Sequence, residues 1–184
     1  MIYIETRLKG AFIIEPERLK DERGFFARTF CQREFEERCL NPKVVQCNIS
    51  FNREKGTLRG MHYQVSPYEE AKLVRCTKGA IYDVIIDLRP NSITFKEWQA
   101  SDLTDQNHKM LFVPEGFAHG FQVLEDDSEV SYQMSQFYHP ECAKGIRWND
   151  PAFGIKWPID KIIISNKDNS YDYWKIKMQE NERD

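Results

Sequence analysis

The sequence predicts an all-β domain with a few short helices, and two observations support this prediction. Short apolar runs with strand-like composition recur along the chain, separated by Gly, Pro, Asn and Asp. A helical period is confined mainly to the segment Gln32–Arg38, which we expect to form two turns. Many short strands with turn residues between them are typical of a β-sandwich or a β-barrel.

The strand-like runs follow one another without a repeat or a flexible linker, so we expect one domain over residues 1–184. The last part of the chain, from about residue 172 to residue 184, is interpreted as a polar tail. The clearest predicted strands are Lys72–Cys76, Ala80–Leu88, Lys109–Val113, Phe121–Leu124, Glu129–Met134 and Lys161–Ile164.

Composition excludes several classes of protein. Hydrophobic residues make up 41% and charged residues 30% of the chain, which is typical of a globular protein and not of a disordered one. A net charge of −3 gives no reason to expect binding to nucleic acid or to a membrane. The start of the chain has no long apolar run, so we expect a cytoplasmic protein without a signal peptide. The five cysteines contain no C-x-x-C pair, which argues against a zinc ribbon and a disulfide framework.

Strand periodicity places three polar side chains among apolar neighbours. Side chains two residues apart share one face of a strand, so Asp83 shares a face with Ile81 and Ile85. By the same rule Lys72 and Tyr132 point to the same side as apolar residues of their strands, and Tyr132 is expected to point inward. Buried polar groups need partners. The pattern therefore favours a barrel whose interior binds a ligand over a barrel with a dry core.

Two segments resemble the two half-motifs of the cupin superfamily of jelly-roll barrels. They are Gly56–Gln64 and Val113–Phe121. In metal-binding cupins the first half-motif supplies His-x-His followed by a carboxylate, and the second supplies one further histidine. Here His62 and His119 are present, but Gln64 stands where the second imidazole would be. A catalytic metal site needs about three protein ligands, so we expect no metal and no cofactor.

A more specific resemblance rests on five segments in order. They are Asp21–Phe26, Leu58–Gln64, Lys72–Cys76, Pro114–Phe121 and Trp148–Pro151. Together they are similar to the dTDP-4-dehydrorhamnose 3,5-epimerase family, over residues from about 3 to about 170. The resemblance implies a cupin-type double-stranded β-helix and an isomerase acting on a nucleotide-diphosphate sugar. It further implies conversion of dTDP-4-dehydro-6-deoxyglucose to dTDP-4-dehydrorhamnose in dTDP-rhamnose biosynthesis, and a homodimer.

The resemblance also implies four catalytic roles. C3 and C5 of the sugar flank the C4 ketone, so their protons can be removed to give an enolate. His62 matches the family's base, and Asp168 matches the carboxylate that orients it. Lys72 matches the cation that stabilises the enolate oxygen. Tyr132 matches the acid that returns a proton to the opposite face, and its predicted inward direction agrees with that role.

Substrate-binding positions are implied in the same way. His119 and Asp83 are expected to form a pair in the pocket that either contacts the substrate or only supports the barrel, and the sequence leaves both open. Guanidinium groups suit phosphate oxygens, and an aromatic ring suits stacking on a base. The matching residues are Arg23, Gln46, Asn48, Arg59, Tyr138 and Lys167.

Three positions depart from the family pattern, and all three lose negative charge. Arg28 and Ala143 stand where the family commonly has acidic residues, and Cys47 replaces the Asp of a Gln-Asp-Asn run. We hypothesise that the nucleotide-binding end has changed while the chemistry has not. No residue decides whether C3, C5 or both centres are inverted.

Four alternatives remain at this point. A metal-dependent cupin oxygenase or isomerase conflicts with Gln64. A 3,4-ketoisomerase would use related acid–base residues to move the carbonyl, and an epimerase could act on another nucleotide sugar such as a CDP-sugar. A non-catalytic sugar-binding cupin would keep the arginines but would not require His62, Asp168 and Tyr132 together.

Overall fold

The computed structural model of the protein describes residues 1–174, and β-strands dominate these residues. The helices are α1 (Gln32–Glu36) and α2 (Asn166–Asn169). The strands are β1 (Ile2–Glu5), β2 (Phe12–Glu15), β3 (Leu19–Asp21), β4 (Gly24–Phe26), β5 (Gln46–Asn52), β6 (Thr57–Gln64), β7 (Lys72–Lys78), β8 (Ala80–Asp87), β9 (Trp98–Thr104), β10 (Met110–Val113), β11 (Phe117–Val123), β12 (Ser128–Met134), β13 (Ala143–Gly145) and β14 (Ile163–Ile164). The predicted all-β class with a few short helices is confirmed.

Five of the predicted strands match the observed ones within two residues at each end. The differences at helix α1 and strand β11 have physical causes. Helix α1 ends at Glu36 because the chain turns at Cys39, whose φ of 56° is left-handed, and the N–H of Leu40 closes back on Phe35. Strand β11 begins at Phe117, four residues before the predicted Phe121. The prediction missed its first part because Ala118, His119 and Gly120 have little strand propensity of their own. Their strand conformation is imposed by pairing with β6 and β8 on both sides.

Two large antiparallel sheets face each other across a shared core. The first has the order β1-β2-β10-β7-β12-β5, and the second has the order β13-β6-β11-β8-β9, with β14 added in parallel beside β6. Val74 and Val130 from the first sheet pack with Ile85 and Phe121 from the second. This arrangement is the jelly-roll barrel that the sequence predicted. Strands β3 and β4 form a separate hairpin.

The central strands of the second sheet, β8 and β11, are buried on both faces. Asp83 is fully buried on the inner face beside Ile81, as the period-2 pattern predicted. Val84 points outward, yet it is equally buried because Phe153 and neighbouring residues of the later chain cover that face. A sheet covered on both sides holds its strands rigidly, which suits the placement of catalytic groups.

The end of the described chain is anchored to this outer layer. The Trp174 ring lies edge-on to Phe153 at 5.8 Å, and the Trp174 N–H donates to the Asp150 carboxylate. Trp174, which lies within the predicted polar tail, is therefore packed, and the rest of that tail, 175–184, lies outside the described residues. Among residues 1–174 no helix is long and apolar enough to cross a membrane.

Candidate active site

A cavity of about 430 Å³ opens between the two sheets, within the size range of small-molecule sites. Strands β5, β6, β7, β11, β12 and β13 contribute to its wall, together with α2 and the segments that carry Tyr138 and Tyr171. The predicted site residues that line it are His62, Lys72, Tyr132, Arg59, His119, Tyr138 and Lys167.

A β-bulge aims Arg59 and His62 into the same cavity. Residues three apart on a regular strand point to opposite faces. The register of β6 against β11 shifts here, so that these two residues face partners only two positions apart on β11. The bulge requires glycine: Gly60 has a φ of 139°, and a Cβ on it would lie 2.5 Å from the Cα of Gly120.

His62 is held by Asp168. The His62 Nε2 lies 2.8 Å from Asp168 Oδ1, and the Gly60 N–H donates to Oδ2 at 3.3 Å. Burial raises the pKa of Asp168, but the hydrogen bond and charge of His62, the Gly60 N–H and the charge of Lys167 lower that pKa by more, to below its ordinary value. The ionised carboxylate accepts a hydrogen bond from Nε2–H, which leaves Nδ1 as the basic nitrogen.

Helix α2 places this carboxylate by a local cap. Ser165 is the N-cap, and its hydroxyl accepts from the Asp168 N–H at 3.0 Å. Strand β14 brings the helix beside β6, because Ile163 and Ile164 pair in parallel with the start of that strand. Asp168 thus reaches His62 from a segment 106 residues further along the chain.

A second histidine–carboxylate pair lies next to the first. His119 Nε2 lies 2.9 and 3.0 Å from the two oxygens of Asp83, and both residues are buried. His119 is the register partner of His62 on the neighbouring strand. The expected His119–Asp83 pair is therefore present and reaches the cavity.

Lys72 has a buried counterion that the sequence analysis did not identify. The Lys72 Nζ lies 3.1 Å from Glu70 Oε1 and donates to the His62 carbonyl at 3.4 Å. The side chains are only 7% and 6% exposed, so the pair is shielded from water. The other Glu70 oxygen accepts the Gln64 N–H at 3.1 Å. Alternation on β7 predicted a buried cation but gave no signal for its partner.

Tyr132 points inward, as predicted, and packs against the core beside the cavity. Burial raises the pKa of Tyr132 above its ordinary value, and the charge of Arg59 offsets part of that rise. The phenol therefore carries its proton at neutral pH. Arg59 is fixed nearby by Asn52, whose Oδ1 accepts from Nε at 2.7 Å.

Gln64 stands where metal-binding cupins have their second histidine ligand, and its side chain holds the backbone of neighbouring segments in place. Its amide donates to the carbonyls of Tyr68 and Phe137 at 2.8 and 3.1 Å, and its oxygen accepts the His139 N–H at 2.6 Å. These bonds hold the segment that carries Tyr138 at the cavity.

Within residues 1–174 no cluster of three or more His, Cys, Asp or Glu residues could hold a metal ion. The expectation of no metal and no cofactor stays a prediction.

Three predicted binding residues do not line the cavity of this chain. Arg23 is 84% exposed on the β3–β4 hairpin and pairs with Asp21 at 2.6 Å. Gln46 and Asn48 are joined at 3.4 Å on β5, on the face that also carries the lining residue Ser50. Their assignments as substrate contacts remain predictions.

The three positions that depart from the family pattern also separate. Ala143 lines the cavity. Arg28 lies elsewhere and forms an ion pair with Glu34 at 3.0 Å. Cys47 is exposed on the face of β5 opposite to Asn48.

One aromatic lining residue escaped the sequence analysis. Tyr171 lies three residues after Asp168, and its ring centroid is 5.9 Å from that of His62. It directly precedes the segment that we interpreted as a polar tail, and its sequence context carries no recognisable signal.

Comparison with known proteins identifies the family. The family model described as dTDP-4-dehydrorhamnose 3,5-epimerase matches residues 5–175. The chain belongs to this family. The predicted resemblance and the prediction of an epimerase-class enzyme are both confirmed.

Individual relatives agree along most of the chain. A dTDP-4-dehydrorhamnose 3,5-epimerase of Methanothermobacter thermautotrophicus is 47% identical over 172 residues, 92% of each chain. The crystal structure of the Elizabethkingia anophelis NUHP1 epimerase has a TM-score of 0.92 at 40% identity, covering 95% of this chain and 96% of that one. A Legionella pneumophila epimerase solved with dTDP-4-keto-L-rhamnose has a TM-score of 0.88 at 37% identity, covering 94% and 92%.

Proposed function

We propose that the protein epimerises dTDP-4-dehydro-6-deoxyglucose at C3 and C5 to give dTDP-4-dehydrorhamnose. One observation carries the proposal: an imidazole backed by an ionised carboxylate shares a cavity with a buried ammonium and a protonated phenol. These are His62 with Asp168, Lys72 and Tyr132. A base, an electrophile and a separate acid are the three groups that inversion next to a ketone requires.

In the first step Nδ1 of His62 removes the proton from the carbon beside the ketone. The electron pair of the broken C–H bond forms the C=C bond of an enolate, and the carbonyl electrons move to the C4 oxygen. Lys72 stabilises this oxygen, and its position away from water strengthens its field. Asp168 stabilises the imidazolium that results.

In the second step Tyr132 gives its proton to the opposite face of the same carbon. The C–H bond re-forms with inverted configuration, and the C4 ketone returns. The step leaves a phenolate near Arg59, whose positive charge favours it. The His62 imidazolium then loses its proton and the Tyr132 phenolate gains one through water, so no net proton is consumed.

The nucleotide end of the substrate binds at the cavity mouth. Arg59 and Lys167 are exposed lining residues that can donate hydrogen bonds to diphosphate oxygens. Tyr138 is 57% exposed beside them and offers a flat surface for a base. This arrangement supports a binding role for all three residues.

We propose dTDP as the nucleotide, since two of the three changed positions, Arg28 and Cys47, do not line the cavity. Affinity measurements with dTDP, CDP, UDP and GDP test this choice. A clear preference for dTDP would defeat the hypothesis of an altered nucleotide-binding end. A preference for CDP would instead make Ala143 the first residue to restore to glutamate.

A second copy of the chain is the proposed protein partner. Strand β5 is an edge strand of the first sheet among the described residues, and Ile49 and Phe51 on it are 67% and 49% exposed beside the cavity. Covering this edge removes unpaired backbone groups and apolar surface from water. Sedimentation of Ile49→Asp tests the interface, with Ile93→Asp, 88% exposed on a loop, as the control. A monomeric wild type would refute the proposal.

The proposed location is the cytoplasm. All five cysteines carry free thiols, which suits a reducing compartment. Fractionation of cells that produce the native chain tests this assignment, and recovery outside the cytoplasm would contradict it.

Incubation with dTDP-4-keto-6-deoxyglucose in deuterated water tests the reaction. The proposal predicts the rhamnose-configured 4-ketosugar with deuterium at both C3 and C5. Deuterium and inversion at one carbon would restrict the activity to one centre. A carbonyl moved to C3 would support a ketoisomerase instead, and binding without exchange would support a sugar-binding protein.

A further inference from the structure

Tyr171 is packed against the proposed base. Its ring meets the His62 imidazole edge-on, with ring centroids 5.9 Å apart and an angle of 75° between the planes. The ring also lines the cavity together with Tyr138 and Lys167. Neither the family resemblance nor the chemistry of the proposed steps assigns it a role.

A glycine opposite His62 makes room for this ring. Gly145 on β13 is the register partner of His62 on β6. A Cβ on Gly145 would overlap the Cε2, Cζ and Cδ2 atoms of Tyr171. The Gly145 backbone does not adopt the left-handed conformation that would itself call for glycine. The absent side chain therefore serves the packing of Tyr171.

The segment around Tyr171 is fixed at both ends. Helix α2 precedes it and is tied to His62 through Asp168. Trp174 follows it and is anchored to Phe153 and Asp150. Burial and the charges of Asp168 and Tyr138 raise the pKa of Tyr171, so its phenol stays neutral at physiological pH. The neutral Tyr171 ring is thus held in a fixed position beside His62.

We propose that Tyr171 is a positioning residue that fixes the plane of the His62 imidazole. Gly145 has no side chain and so leaves the space that the Tyr171 ring occupies. The inference rests on the proposed role of His62 as the base. One hydrogen bond, to Asp168 at Nε2, fixes a single point of the ring, and the second side-chain torsion of histidine is broad. An edge-on aromatic contact restricts the remaining rotation and keeps Nδ1 directed at the substrate carbon.

Removal of the ring tests the proposal. For Tyr171→Ala we expect kcat for deuterium exchange to fall about 3- to 10-fold, the range that one aromatic contact supplies. KM should change less than about twofold, because substrate binding does not depend on the angle of the base. The fraction of exchanged carbons that invert should stay constant, since Tyr132 is untouched. Tyr171→Phe should match the wild type, and a loss in this variant would overturn the proposal because it would assign the effect to the hydroxyl.

A substitution of Gly145 tests the same contact without changing Tyr171. Gly145→Ala should displace the ring and reproduce the loss seen in Tyr171→Ala. The double variant should be no slower than either single variant, because both changes remove the same contact. Tyr173→Ala, two residues on and 52% exposed, is the matched control and should leave kcat unchanged. Additive losses in the double variant would overturn the proposal.

A substrate-free readout separates this inference from the proposed function. The ring current of Tyr171 should shift the NMR resonances of the His62 ring, and the shift should disappear in Tyr171→Ala and Gly145→Ala but not in Tyr173→Ala. Unchanged His62 resonances would refute the positioning contact. If the wild type fails to exchange deuterium at all, the proposed function fails. If the wild type is active and Tyr171→Ala equals it, only this inference fails.

Discussion

His62 and His119 face each other as register partners across β6 and β11, and each imidazole bonds to a carboxylate of its own. The two pairs differ in access: the His62 side chain is 41% exposed, whereas the His119 side chain is 9% exposed. Both imidazoles line the cavity, but His62 is the more accessible to a sugar. His119 is better suited to hold the barrel wall next to it.

This asymmetry predicts the behaviour of His119→Asn. The asparagine amide can still donate to Asp83, so the buried carboxylate keeps a partner. We expect deuterium exchange to remain above about a tenth of the wild-type rate, because the proposed general base is His62 and this residue is unchanged. Steady-state exchange measured by NMR checks this expectation. A loss as large as that of a His62 variant would show that both imidazoles take part in the chemistry.

Tyr132→Phe should separate proton removal from inversion. The phenyl ring fills the same space but has no proton to give, while the His62–Asp168 pair is unchanged. We expect deuterium exchange with retained configuration and little inverted product. The measurement is the ratio of exchanged to inverted carbon by NMR. A variant that inverts normally would remove Tyr132 from the proposed acid role.

Glu70→Gln should destabilise the fold through Lys72. The substitution preserves the shape of the side chain but leaves a buried ammonium without its counterion. Breaking a buried pair in this way lowers the free energy of unfolding by about 3 kcal/mol. The double variant with Lys72→Met should recover part of this loss, as measured by urea denaturation. Glu69→Gln is the neighbouring control, and an equal effect there would contradict the account.

Gln64→Met should weaken substrate binding more than it slows chemistry. Methionine has a similar shape but none of the three hydrogen bonds that hold the segment carrying Tyr138. We expect KM to rise about 10-fold with a smaller change in kcat, because Tyr138 loses its position while His62 keeps Asp168. A drop in kcat at constant KM would contradict this division of roles.

The lowered pKa of Asp87 predicts how the stability of the fold depends on pH. Burial raises its pKa, but hydrogen bonds from Arg89, Ser92 and Thr94 lower it by more, from an ordinary value of 3.8 to about 2. A depressed pKa adds stability above the unfolded-state value, and this stability is lost as pH falls through the folded-state value. The window is therefore between pH 3.8 and about 2.

The shift corresponds to about 2 kcal/mol of stability at pH 7. Urea unfolding of the wild type and of Asp87→Asn at pH 7 and pH 2.5 measures this term. The difference in unfolding free energy between the two proteins should shrink at the lower pH. A difference that stays constant would show that the charge of Asp87 does not stabilise the fold.

Local sequence pattern predicted the strands and the inward direction of their polar residues. Alternation placed Asp83 and Tyr132 correctly because every second side chain of a strand shares a face. The same rule separates Arg59 from His62, and it fails there because the bulge at Gly60 depends on the register of β11. Such register is a property of two distant segments together.

Some contacts that exist only in the closed barrel were not predicted, for the same reason. Glu70 and Lys72 are close in sequence, but only the closed barrel shows that they share a pocket. Tyr171 and Gly145 come from different elements, and nothing in either segment indicates that a ring fills the space beside a missing side chain. Arg23 matches the family motif, yet the folded chain leaves it exposed on a hairpin.

The proposed reaction depends on removal of the proton beside the ketone by the His62 imidazole. Deuterium incorporation from heavy water into dTDP-4-keto-6-deoxyglucose, compared between the wild type and His62→Asn, measures this step directly. We expect exchange at C3 and C5 to fall together by about 1,000-fold in the variant, because a general base is lost. Exchange at either carbon that continues at the wild-type rate in a folded variant would contradict this expectation.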